Sequence, residues 1–280
     1  MRKSLIPAVC LAGAVACTVS ATPAHAAVVG SVTPTSSAAR AGIHQPGDAY
    51  AGWSAHRSAS LTRTPLAGAR PMAAAGQTLG IDVSSHQGNV DWSAQWGAGV
   101  KWAYTKATEG TYYTNPYFAQ QYNGSYNVGM IRGAYHFATP DTTSGAAQAD
   151  YFVAHGGGWS KDGKTLPGML DMEYNPYGAT CYGKSASSMV SWIHSFLNEY
   201  KAKTGRDAVI YTNYDWWSTC TGNSTAFNAT NPLMVARYAS APGTLPGGWP
   251  YYTIWQYTSS PLDKDWFNGD ISRVRALANG

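Results

Sequence analysis

The chain is short of charge. Asp, Glu, Lys and Arg make up 12% of its 280 residues, against 44% hydrophobic and 13% aromatic. That composition excludes a disordered or fibrous chain and supplies enough apolar residues for a real core in one or two domains. The formal charge of +4 is no footprint for nucleic acid. Arg2, Lys3, Arg40, Arg57, Arg63 and Arg70 precede Gln77, and from Gln77 onward 13 basic residues meet 14 acidic ones. Zinc-hydrolase and serine-hydrolase signatures are missing, since neither HExxH nor GxSxG occurs. The letters GWSKDGKT, Gly158 to Thr165, fit a phosphate loop, but such a loop follows a strand and opens a helix, whereas Leu166-Pro167-Gly168 leads into a strand. His86, His136, His155 and His194 form no locally spaced metal pair, so no metal and no cofactor is expected.

Long apolar runs are scarce as well. The run from Leu5 to Val19 follows Arg2-Lys3 and precedes Ala24-His25-Ala26, the pattern of a secretory signal over residues 1–26. It is too short to span a bilayer, and no second run approaches the roughly 18 to 20 residues needed. The expectation is a secreted, extracellular protein without stable membrane insertion. Cys10 and Cys17 lie in the signal, which leaves Cys181 and Cys220. One pair in an exported chain is most simply a disulfide. A loop of about 40 residues closed in this way contributes roughly 3 to 4 kcal/mol. A metal site is the weaker alternative, because the two cysteines have no CxxC spacing.

Residues 27–76 contain no lysine, are dominated by Ala, Ser, Thr, Gly and Pro, and show no sustained apolar period. They read as a pro-segment or linker that buries little and is dispensable for chemistry, though it could assist folding or hold the protein quiet until export. Residues 77–280 alternate β-type runs with helical stretches: LGIDVS, VKWAYTKA, MIRGAYHFA, PGMLDMEY, DAVIYTNY, PLMVARYA, YTIWQYT and a shorter DISRV. Asn115-Pro116 marks a helix start, and Met189, Ile193, Phe196 and Tyr200 recur at helical spacing between Ser187 and about Lys203, with Gly205 as the stop. This alternation implies parallel pairing, and so many strands in about 200 residues favour a compact α/β barrel over an open sheet.

The chemistry concentrates in PGMLDMEYNP. Two residues apart on a strand, Asp171 and Glu173 share one face while Leu170 and Met172 take the other. Asn175-Pro176 ends the run, which places both acids at a strand C-terminal tip, where α/β barrels carry their catalytic groups. Two solvated acids on an exposed edge are the plainer alternative. Other strand ends supply Asp82, Tyr104, Lys106, Tyr135, His136, Tyr211, Trp255 and Gln256. Each is weak alone, and a lone histidine such as His136 is more often a core residue. Together they suggest one barrel mouth, with aromatic faces suited to sugar rings among the 11 Trp and 19 Tyr.

DVSSHQGNVDW, YTKATEGTYYTNPYF, RGAYHF, DMEYNP, IYTNYDWW and IWQYT with Asp270 resemble, in order and spacing, the Chalaropsis-type lysozymes of glycoside hydrolase family 25. The resemblance implies a flattened, modified β/α (TIM-like) barrel and an N-acetylmuramidase. Such an enzyme cleaves the β-1,4 bond from N-acetylmuramic acid to N-acetylglucosamine in bacterial cell-wall peptidoglycan, its expected partner. It places Glu173 at the proton donor and Asp171, Asp82 and Asp270 at the other site acids, and makes residues 77–280 the lysozyme catalytic domain, expected as a monomer. Glycoside hydrolysis needs one acid for the leaving oxygen and a second group for the oxocarbenium-like centre. Asp171 and Glu173, about 6.6 Å apart at Cα, do not separate inversion from retention. The DxE pair is similar to arrangements in which the substrate's 2-acetamido oxygen is the nucleophile. A chitinase-like hydrolase and a carbohydrate-binding barrel that has lost turnover remain the alternatives.

Overall fold

The computed structural model describes residues 33–55 and 76–280. The expected secretory signal, with Cys10 and Cys17, lies outside them. Nine strands are present among the described residues: β1 (Thr78–Val83), β2 (Trp102–Glu109), β3 (Tyr113–Thr114), β4 (Ile131–Phe137), β5 (Met169–Asp171), β6 (Val209–Thr212), β7 (Leu233–Ala236), β8 (Ile254–Thr258) and β9 (Lys264–Phe267). Their order is β1-β9-β8-β7-β6-β5-β4-β2-β3, and β1 also pairs with β2, so eight strands close into a barrel from which β3 hangs as a hairpin. Within the barrel, the pairings among β1, β2, β4, β5, β6, β7 and β8 are parallel. β9 runs antiparallel between β8 and β1, which is the modification of the β/α plan.

Helices α1 (Ser36–Arg40), α2 (Trp92–Gly97), α3 (Phe118–Asn127), α4 (Gly145–Phe152), α5 (Ala186–Thr204), α6 (Tyr214–Thr221) and α7 (Ile271–Asn279) complete the described elements, beside a short 3-10 turn and a π turn. α5 matches its sequence signal: Ser185 caps its start, Gly205 ends it in the left-handed region, and Met189, Ile193, Phe196 and Tyr200 are buried. α3 starts after the expected place. Asn115 Oδ1 accepts from the Tyr117 amide in a turn, and the helix begins at Phe118. DISRV, expected as a strand, is the start of α7 instead. The Asp270 side chain accepts from the Ser272 and Arg273 amides as an N-cap, and Val274 and Ala278, four residues apart, are buried. The strand in this region is β9, whose KDWF carries no long β-type run. Cys181 and Cys220 are joined in a disulfide between the β5–α5 loop and α6. Among the described residues no helix is long and apolar enough to cross a membrane.

Alternation along the strands divides the core. Trp102, Tyr104, Met169, Val209, Met234, Ile254 and Phe267 fill the barrel interior, where Val274 and Ala278 of α7 also pack. Leu170, Met172, Ile210 and Val235 point out under the helices, against Phe152, Phe196 and Trp217. Gly80 is required by this packing, since a Cβ there would lie 2.1 Å from the Trp102 ring.

Residues 33–55 depart from the expectation of a segment that buries little. Ala38, Ile43, Ala49, Ala51, Trp53, Ser54 and Ala55 are all buried. Ile43, Ala49 and Trp53 join the outer core, while Ala51 and Ala55 join the barrel interior.

Candidate active site

β5 places Asp171 and, just beyond it, Glu173 on the interior face, because Met169 two residues earlier already packs inside. β1 contributes Asp82 by the same alternation, with Ile81 and Val83 facing the outer layer. β9 contributes Asp265, and the preceding turn contributes Asp263; both are buried. Five carboxyls thus gather at one end of a barrel otherwise lined with aromatic and aliphatic side chains.

Burial is the largest cause of their shifts. It pushes the Asp82 carboxyl up to about 7, against the lowering effect of a 2.8 Å hydrogen bond from Gln256 Nε2. It pushes Glu173 up to about 8, with the charge of Asp82 adding and three donors opposing. The like charge that raises Glu173 comes from Asp82 and is secondary to desolvation. Asp171 is raised well above the carboxylate range by burial and then by Glu173 and Asp82, while Lys106 pulls it down. No described group donates a hydrogen bond to either Asp171 oxygen. A buried carboxyl without a donor is costly in a fold, so its place in the site calls for a donor from elsewhere.

The other residues singled out from the sequence divide between the two faces. Lys106 is buried inside and paired with Glu109 at 2.6 Å. Tyr135, Tyr211 and Gln256 also face inward. The Tyr211 hydroxyl donates to Gln256 Oε1 at 2.8 Å, and Gln256 thereby links Tyr211 to Asp82. Three expected substrate contacts lie elsewhere. Tyr104 is interior but one turn deeper, donating to the Pro167 carbonyl at 2.8 Å. His136 faces outward, bonded to Thr108 and Gln148 and stacked on Phe196, and burial holds its pKa down to about 3. Trp255 also faces outward and donates to the Arg237 carbonyl at 2.8 Å. Parity explains both outward cases: His136 follows inward Tyr135, and Trp255 precedes inward Gln256.

Asp270 does not join the carboxyl cluster. It is exposed, and its side chain is committed to capping α7. The acid beside Asp82 is Asp265, which β9 places opposite Gly80, two residues before Asp82 on the same face of β1. Sequence reasoning missed Asp263, Asp265, Glu109 and Tyr238. For Asp265 the available signal was the alternation of Asp265 and Phe267 in KDWF.

A closed β/α barrel with buried carboxyls at the strand C-terminal ends defines a glycoside-hydrolase type of site. The sequence profile of "Glycosyl hydrolases family 25" matches residues 81–266. The chain belongs to that family and is a Chalaropsis-type muramidase. It is 55% identical to the N,O-diacetylmuramidase of Chalaropsis sp. over 208 residues, 72% of this chain and 99% of that one. It is 47% identical to Lysozyme M1 of Streptomyces globisporus over 242 residues, 84% of this chain and 82% of that one. A crystal structure of the bacterial lysozyme from Streptomyces coelicolor superposes with a TM-score of 0.72 at 50% identity, covering 74% of this chain and 99% of that one.

Proposed function

We propose that this protein is an exported lysozyme that hydrolyses the β-1,4 bond between N-acetylmuramic acid and N-acetylglucosamine in bacterial peptidoglycan, with Glu173 as the proton donor. The observation that carries the reading is the placement of Glu173 at the barrel mouth beside Asp171, a buried carboxyl to which no described group donates. Glu173 delivers its proton to the leaving glycosidic oxygen. The orphaned oxygens of Asp171 suit the N–H of the 2-acetamido group. Held in this way, the acetamido carbonyl oxygen attacks the anomeric carbon as the leaving oxygen takes the Glu173 proton. Glu173, now a carboxylate, then accepts a proton from the water that opens the cyclic intermediate, and the sugar keeps its anomeric configuration. Asp82 and Asp265 surround the bond with further carboxyls, while Gln256 and Tyr211 orient Asp82. Lys106, Tyr135 and Tyr211 are assigned to substrate contact. Tyr104, His136 and Trp255 are assigned to the barrel that holds it.

The test is mass analysis of the fragments released from purified cell walls, with chitin oligomers alongside. Muramic acid at the new reducing end is expected. Glucosamine at that end, or a preference for chitin, would overturn the bond assignment.

A further inference from the structure

The described part of the N-terminal segment lies across the barrel mouth and engages the groups just assigned to chemistry. The Gly52 amide donates to Glu173 Oε1 at 2.8 Å. The Ser54 amide and hydroxyl donate to Glu173 Oε2 at 3.3 and 2.6 Å. Glu173 therefore accepts on both oxygens, and its place beside a leaving glycosidic oxygen is taken. The contacts continue on either side. The Ala51 amide donates to the Tyr135 hydroxyl at 3.3 Å, and the Tyr238 hydroxyl donates to the Gly52 carbonyl at 3.1 Å. The Gly47 amide donates to Glu109 Oε1 at 2.9 Å, while Lys106 Nζ donates to the Gly47 and Ala49 carbonyls.

The fit requires glycine at two positions of the segment. Gly52 has φ +86°, and a Cβ there would lie 2.3 Å from the Tyr238 hydroxyl and 2.5 Å from Gln256 Oε1. A Cβ on Gly47 would lie 2.4 Å from the Tyr113 ring. Buried Ala51 and Ala55 join the barrel-interior cluster, while buried Trp53 packs into the outer core. Two comparisons bear on the segment's separate standing. The Chalaropsis relative spans only 72% of this chain and is itself covered to 99%, so that relative matches the barrel without the segment. The likeness to Lysozyme M1 covers 84% of the chain, about 235 residues, more than the 204 from Gln77 to Gly280. It therefore reaches back into the segment.

We propose that residues 33–55 are a built-in inhibitor, a peptide ligand that occupies the saccharide cleft by hydrogen-bonding Glu173 through Gly52 and Ser54, and that the enzyme works only once this segment has left. The proposal rests on the muramidase reading for its rate measurements but not for its binding measurement. Covalent attachment gives such a segment an effective concentration of about 1 mM. A free peptide with a Kd of about 10 µM therefore corresponds to about a hundredfold suppression in the intact chain.

The experiment compares the chain from residue 27, the same chain carrying Gly52→Val, and a chain beginning at Gln77, together with a synthetic peptide of residues 42–55. Calorimetry is expected to show the peptide binding the Gln77 chain, and Ser54→Ala in the peptide to weaken it about tenfold, the loss of one hydrogen bond to Glu173. Wall lysis by the intact chain is expected to be at least about tenfold slower than by the Gln77 chain. Gly52→Val restores most of that difference, and added peptide removes it competitively. Should the Gln77 chain not fold, the Gly52→Val chain, whose barrel is complete, carries the rate comparison. Equal rates for the intact, Gly52→Val and Gln77 chains, or no peptide binding to the folded Gln77 chain, would overturn the proposal. Peptide binding without turnover by any form would leave the occupied cleft standing and remove the muramidase reading.

Discussion

The two ends of the barrel are stopped in different ways. At the strand N-terminal ends, α7 seals the interior with Val274 and Ala278, packed in one cluster with the aromatic side chains Trp102, Tyr104 and Phe267. At the other end, residues 47–55 close the mouth with backbone and hydroxyl donors aimed at Glu173, Glu109 and Tyr135. An apolar stopper draws its stability from area removed from water and has no better partner outside the fold. A polar stopper competes with any ligand that presents equivalent donors, so it marks the end where something else can bind.

The largest effect expected from breaking this contrast is at the polar end. In the chain beginning at Gln77, Glu173→Gln is expected to lower wall lysis by about 10²- to 10⁴-fold without loss of folding. Lysis assays and circular dichroism on the same samples check it, and near-normal rates would remove Glu173 as the donor. The next effect holds the barrel's flank. Reducing Cys181–Cys220 opens a loop of sequence separation 39, a cost of ~3 kcal/mol. That is a fall in Tm of roughly 6 to 12 °C for a domain of this size, read by calorimetry with and without reductant.

At the apolar end, Val274→Ala is expected to cost about 2 kcal/mol with unchanged turnover per folded molecule, measured by urea unfolding beside lysis. Above about pH 6.5, where His136 is neutral in folded and unfolded chains alike, the pH response comes from the polar end. In the fold Asp82 and Glu173 hold protons up to about 7 and about 8, whereas their ordinary values are 3.8 and 4.5. Their contribution to stability is therefore full below pH 4 and is lost as pH rises toward 8. Tm is expected to fall between about pH 6.5 and 8, and Glu173→Gln to flatten that fall.

The smallest effect separates two aspartates. Asp270→Ala is expected to cost ~1 kcal/mol by uncapping α7 and to leave lysis unchanged, whereas Asp265→Asn is expected to lower lysis with the fold intact. Matched lysis and melting curves on the two variants decide between them. If Asp270→Ala abolished lysis in a folded protein, the mouth would include a residue that the structure places outside it.

Local pattern was enough to read the β/α barrel, the α5 boundaries, the Cys181–Cys220 disulfide and the Asp171–Glu173 pair. Each depends on a short-range rule: strand parity, helix spacing and caps, or the count of cysteines left after the signal. What the tertiary structure alone decided is who meets across the barrel. Parity along one strand does not say which parity faces in, so His136 and Trp255 were read with their inward neighbours Tyr135 and Gln256. Asp265 and Asp270 both follow IWQYT, and only the β1–β9 register brings the former to Asp82 and leaves the latter to cap a helix. Residues 47–55 are the strongest case. Their Gly, Ala and Ser carry no apolar period of their own, and they are ordered by distant carboxyls that need donors, Glu173 more than a hundred residues away and Glu109 62 residues from Gly47. That need arises from burial within the closed barrel, and no stretch of local sequence records it.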